Sequence, residues 1–345
     1  MSAEEKHNCY EGVYFNHFQF YLQKSGEHEA ILKCLQNLLP AEFQRIGAGK
    51  SNLDVLGVGS GGGELDAQML SLLQSAFPSV PITADIVEGS SELTDKFKAL
   101  VAKTPNLEKI PFSWHIMSSE DYEKQVKNLE KIQFSWHIMP SEDYEKQVKA
   151  KGNLKKFDFI HMIQMIYYVN SLAESIKFHH SLLKNSGSLM IVVEAANSGW
   201  DILWKTYKKE LCVEKVHEYR SSGEVIAALK DLGLKFEDHA VPNSFDITEC
   251  FDQSSVTGES LLSFMTGNAV PNSFDITECF DQSSVPGESL LSFMTERTTS
   301  TSPSTRRSEQ ASWSSSRTSA ALKKMVGCSS TAICAAFLFM LKHLD

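Results

Sequence analysis

Short, nearly continuous apolar runs alternate along this chain with segments whose apolar residues recur every three or four positions. Leu53–Val58 reads LDVLGV and runs into glycines, which predicts a buried strand. Residues 64–77 place apolar side chains at 65, 69, 70, 72, 73 and 77, the spacing of an amphipathic helix. The same reasoning predicts strands over 81–87, 157–162, 188–193 and 235–241, and helices over 91–102, 172–183 and 221–232. Ser91 is the expected N-cap of its helix, while the helix at 221 opens with a serine pair and is followed by Gly233. Strands that alternate with helices imply an α/β fold with a doubly wound, mostly parallel sheet.

Two duplications interrupt this alternation. Residues 106–127 recur almost unchanged at 128–149, and residues 241–266 recur at 270–295 with Thr257 replaced by Pro286. Solenoids repeat three or more diverged units, so these single doublings are expected to leave one copy in the fold and the other in a loop. From Arg297 onward the composition changes: residues 298–319 hold 14 Ser or Thr among 22. The expected organisation is therefore a domain over 1–296 and a basic, Ser/Thr-rich tail over 297–345 that is disordered or aberrant.

The chemistry concentrates at strand ends. Val58-Gly59-Ser60-Gly61-Gly62-Gly63-Glu64 leaves a strand and opens a helix, where glycines let the backbone turn tightly and approach a ligand. Glu88 ends the second strand, where a carboxylate can accept from both hydroxyls of a ribose. Dinucleotides and S-adenosylmethionine share this geometry. The GxGxG form, followed at once by the acidic Glu64, favours a nucleoside without a pyrophosphate and hence S-adenosylmethionine. No GK[ST] follows, which excludes a Walker loop. A third strand end, running from Asp158 to Tyr168, carries Ile163, Gln164, Tyr167 and Tyr168 to the carboxyl edge of the sheet, where open α/β sheets bind ligands. His161, within that strand, reads as a core histidine.

The strings GVGSGGGELDAQML, FDFIHMIQMIYYV, IKFHHSLLKNSGSLMIVV, SGWDILWKTY and DITECF, with Tyr14, Phe18 and Glu27-His28 near the start, resemble the histamine N-methyltransferases. The resemblance runs from about Tyr14 to Thr295 and implies a class I (Rossmann-like) methyltransferase fold with a small added substrate-binding region. It implies that Gly59 faces the methionine part of the cofactor and Glu88 its ribose, with Gly61 and Gly63 in the same cofactor-binding turn. Ser119, or its repeat counterpart Ser141, would lie beside the adenine, with Ile163 in the same pocket. Glu27 and Gln164 would hydrogen-bond histamine and orient its ring. Tyr14, Phe18, Tyr168, Trp200, Trp204 and Phe251, or its counterpart Phe280, would wall the site, aromatic faces being suited to a cationic amine. The reaction implied is in-line attack of a neutral imidazole nitrogen on the sulfonium methyl, governed by positioning and needing no catalytic base. The alternatives are another small amine or heterocycle as substrate, or an inactive cofactor-binding relative. The family's last strand pair finds no match after Thr295, so a bare sheet edge and an incomplete substrate wall are expected.

Composition narrows the partners. A formal net charge of -10 opposes nucleic-acid binding. Seven cysteines without CxxC spacing indicate neither a zinc site nor a disulfide framework, which implies a cytoplasmic protein. The N-terminal residues show no apolar leader, and the longest late apolar run, residues 332–341, is about half of what a membrane-spanning helix needs. The family resemblance further implies a monomer that takes a small molecule and S-adenosylmethionine, with no metal.

Overall fold

The computed structural model describes residues 12–133, 155–206, 219–246, 248–252, 254–265 and 331–342. Two helices, α1 (Gly12–Ser25) and α2 (Glu27–Gly47), precede the sheet. Then follow β1 (Leu53–Val58), α3 (Glu64–Ala76), β2 (Ile82–Glu88), α4 (Ser91–Lys103), β3 (Phe112–Ile116) and α5 (Ser119–Gln133). The second half comprises β4 (Phe157–Ile163), α6 (Leu172–Ser181), β5 (Leu183–Glu194), α7 (Gly199–Thr206), α8 (Ser222–Asp231), β6 (Phe236–Asp246), α9 (Val256–Met265) and β7 (Thr331–Lys342). The strands form one seven-stranded sheet in the order β3-β2-β1-β4-β5-β7-β6. The first five run parallel, and β7 pairs antiparallel with both β5 and β6.

The expected α/β alternation is thus present, and its physical origin is visible in the burial. Helices cover both faces of the central strands, so β1 and β4 read as apolar runs and not as alternating ones. Helix α2 buries Ile31, Leu35, Leu39, Phe43 and Ile46, one residue per turn or so, against one face of the sheet. Ser221 opens α8 in a capping box with Glu224, whose carboxylate accepts from the Ser221 N–H at 2.9 Å. The cap of α4 differs from expectation: Ser90, not Ser91, caps it, its hydroxyl accepting from the Leu93 N–H at 3.2 Å. Ser91 has helical geometry and cannot offer its side chain in that way.

The C-terminal stretch overturns a larger expectation. Residues 331–342 are not disordered but form the strand between β5 and β6. They read TAICAAFLFMLK, an apolar run too short for a membrane span and of the length of a buried strand. Leu338, Phe339 and Leu341 are fully buried, each worth about 1.5–3 kcal/mol against exposure. Without β7 the facing edges of β5 and β6 would leave their N–H and C=O groups unpaired. Residues 297–330 lie outside the described residues. Of each duplication, the first copy enters the fold: 106–127 supplies β3 and the start of α5, and 241–266 supplies the end of β6 and α9. The second copies lie mostly or wholly outside the described residues.

Candidate active site

The strand order reverses direction between β1 and β4, which are parallel neighbours, and the ligand-binding crevice of an open α/β sheet lies at such a point. The glycine turn leaves the carboxyl end of β1 there. Gly59 and Gly63 have φ of 66° and 78°, a backbone region that side chains strain. A Cβ at Gly59 would lie 2.6 Å from that of Met165, and one at Gly63 would lie 2.1 Å from the Phe97 ring. The turn is therefore wedged between α4 and the segment after β4. At Gly61, by contrast, a Cβ would meet nothing within 4 Å, so this side of the turn is open.

Glu88 closes the turn from β2. Its two carboxylate oxygens accept from the Gly61 N–H and the Ser90 N–H, both at 2.8 Å. Burial raises its pKa above the usual carboxylate range, while these amides pull the other way. Beneath the turn, the Ser60 hydroxyl donates to Asp66 at 2.7 Å, and His161 Nε2 lies 3.3 Å from the same oxygen. Burial pushes Asp66 up to about 7 and His161 down to about 3. His161 is then neutral near pH 7, and the contact is not an ion pair. This is the core histidine expected from the sequence.

A second group gathers at the ends of β4 and β5. Gln164 follows β4 with φ of 50°, and its amide nitrogen donates to Glu27 Oε1 at 3.0 Å and to Glu194 Oε1 at 2.8 Å. The Tyr167 hydroxyl donates to the Gln164 carbonyl. The opposite amide orientation would set that carbonyl against the Glu27 carboxylate. The Tyr21 hydroxyl donates to Glu27 Oε2 at 2.6 Å, and Trp200 Nε1 donates to the Tyr21 oxygen at 3.1 Å. Burial, and next the charge of Glu27, raise the Glu194 pKa well above the carboxylate range. A gap of about 10 Å³, room for roughly one water, lies between Glu27, Ala30, Ile31, Glu194, Val241, Asn243 and Ala336.

A family model described as a methyltransferase domain matches residues 30–239. The chain belongs to the methyltransferase family. Among relatives of this methyltransferase, histamine N-methyltransferase A of Xenopus laevis is 40% identical over 253 residues, 73% of this chain and 79% of that one. Histamine N-methyltransferase of Mus musculus is 36% identical over 74% of this chain and 80% of its own. Carnosine N-methyltransferase 2 of Gallus gallus is 37% identical over 74% of this chain and 72% of its own.

The residues singled out from the sequence distribute unevenly over the methyltransferase. Gly59, Gly61, Gly63 and Glu88 come together at the turn, and Glu27, Gln164 and Trp200 come together at the second group. Ile163 ends β4 between the two, half-buried. Ser119 starts α5, and its buried hydroxyl has no hydrogen-bond partner among the described residues. The Phe18 ring packs on Phe264 at 5.5 Å, and Tyr168 meets Tyr167 edge-on at 5.4 Å. Tyr14 lies on α1, Trp204 on α7 and Phe251 in a short turn (Thr248–Phe251), but their side chains are outside the described residues, as are Ser141 and Phe280 altogether. The sequence reading passed over Tyr21 and Glu194. Glu194 ends an apolar strand run just as Glu88 does, so the strand-end rule that picks out Glu88 applies equally to it.

The expected bare sheet edge is corrected, since β7 pairs with both β5 and β6. Ala336 of β7 and Val241 and Asn243 of β6 border the gap, and Asn243 donates to the Ser25 carbonyl at 3.1 Å, which ties β6 to the junction of α1 and α2. No helix among the described residues is long and apolar enough to cross a membrane.

Proposed function

We propose that the chain transfers the methyl group of S-adenosylmethionine to an imidazole ring nitrogen of histamine. The observation that carries this reading is the adjacency of two groups at one crevice: an open glycine turn clamped by Glu88, and the acidic pair Glu27 and Glu194 bridged by Gln164. The open space at Gly61 and the orphaned Ser119 hydroxyl fit a nucleoside cofactor held by backbone and hydroxyl contacts. Each Glu88 oxygen keeps a second lone pair for a ribose hydroxyl. When bound, S-adenosylmethionine supplies an electrophilic sulfonium methyl.

The residues of the chain position the nucleophile. A neutral imidazole nitrogen already carries the lone pair that attacks: the N–CH₃ bond forms as the S–CH₃ bond breaks, and the methylated ring then releases its N–H proton to solvent. With a free ring pKa of roughly 6.5, no base is needed for attack near pH 7. Glu27 and Gln164 hold the substrate, and Tyr21 and Trp200 hold Glu27. Alignment of this kind can supply on the order of 7–11 kcal/mol. Histamine and carnosine both carry the ring, but carnosine adds a carboxylate. Two buried glutamates at the site favour the cationic substrate over the one with a carboxylate.

The test is calorimetric titration of S-adenosylmethionine and then histamine into the full chain, followed by a methyl-transfer assay on the same sample. Binding of both with methylhistamine formed is the expected result. Cofactor binding without methyl transfer to histamine would sink the proposed substrate.

A further inference from the structure

Glu194 is 6% exposed, and of its two carboxylate oxygens only Oε1 is engaged, by Gln164. Its Oε2 is buried with no hydrogen-bond partner among the described residues. A buried carboxylate oxygen left without a donor is costly, and Glu194 lines the gap that Glu27 also lines. The sheet register explains why that gap persists. Glu194 stands opposite Ala336, and Ala336 opposite Val241, so the three form one row across β5, β7 and β6. The centre of the row carries only a methyl group.

Gln164 has no donor to spare, because both hydrogens of its amide are taken by the two glutamates. What remains unfilled at this spot is acceptor capacity, and an ammonium with its three N–H donors would both fill it and hold Glu194 in its charged form. The ring is a poor occupant: two carboxylates beside it would raise its pKa and protonate the nitrogen that must attack. We propose that Glu194 is a further substrate-binding residue, which with Glu27 takes the protonated amine of the substrate in the gap beside Ala336 and so leaves the ring uncharged at the glycine turn. The inference rests on the reading of the substrate as an amine-bearing imidazole. The raised pKa of Glu194 accords with a site that awaits a cation.

The experiment compares wild type with Glu194→Gln by calorimetric titration of histamine and of 4-methylimidazole, which keeps the ring and lacks the amine. Glu194→Gln is expected to weaken histamine binding roughly ten- to a hundred-fold, the loss of one charge-assisted contact. Binding of 4-methylimidazole and of S-adenosylmethionine is expected to stay within about two-fold, since neither needs this contact. Equal weakening of histamine and 4-methylimidazole, or no weakening of either, overturns the inference. If Glu194→Gln fails to fold, Ala336→Val fills the gap from the next strand and is expected to give the same selective loss; an unselective loss again overturns it. A wild-type chain that binds histamine but does not methylate it would refute the proposed reaction and leave the amine site standing. A wild-type chain that binds no histamine refutes the amine site itself.

Discussion

The two halves of the crevice are built in opposite ways. The glycine turn is local: Gly59, Gly61, Gly63, Glu88 and Ser90 lie within 32 residues of chain, and the hydrogen bonds to Glu88 come from backbone N–H groups. The acidic half draws Tyr21, Glu27, Gln164, Glu194 and Trp200 from across the chain, and its bonds join side chains; Trp200 and Tyr21 are 179 residues apart. A backbone cradle depends on conformation, so its weak points are steric. A side-chain cluster depends on charge balance, so its weak points are electrostatic.

Perturbing each half should therefore produce different failures. Gly63→Val forces a branched side chain into the Phe97 ring at a left-handed φ. Strain and overpacking together should cost roughly 3–6 kcal/mol, read by chemical denaturation, with S-adenosylmethionine binding lost as well. A stable variant would mean that the turn is not wedged as described. Glu27→Ala should instead raise the histamine Michaelis constant by about a hundred-fold and leave cofactor affinity and folding nearly intact. A comparable loss of cofactor affinity would erase the distinction between the halves.

Asp66 probes the ground between them. Its pKa is raised to about 7 in the fold by burial, so between about pH 4 and pH 7 the native state holds a proton that the unfolded chain has lost. Stability should fall as pH rises through that window, by about 1.4 kcal/mol per pH unit from this group. Asp66→Asn keeps an acceptor for Ser60 and should remove that part of the slope in thermal melts across the range. An unchanged slope would show that Asp66 does not stay protonated when folded. The smallest effect is expected from Trp200→Phe, which keeps the ring against Tyr21 and deletes one donor. The histamine Michaelis constant should rise roughly two- to ten-fold, with no change in kcat if the contact only positions Glu27.

The strand-helix alternation, the glycine turn and Glu88 were legible in the chain because each is a local pattern. A strand buried on both faces must be apolar throughout, and a tight turn into a helix must be rich in glycine. The pairing of Glu27 with Glu194 was not legible, since nothing local distinguishes a carboxylate at a strand end that meets solvent from one that meets another carboxylate. Nor was the role of residues 331–342: their apolar run was plain, yet a Ser/Thr-rich stretch separates it from the rest of the domain. Sequence by itself determined the period of each element and the backbone freedom of the turn, which depend on neighbours along the chain. Only the tertiary structure decided which strand fills the slot beside β5 and which charges share one gap, because both are settled by edges and side chains that meet across more than a hundred residues.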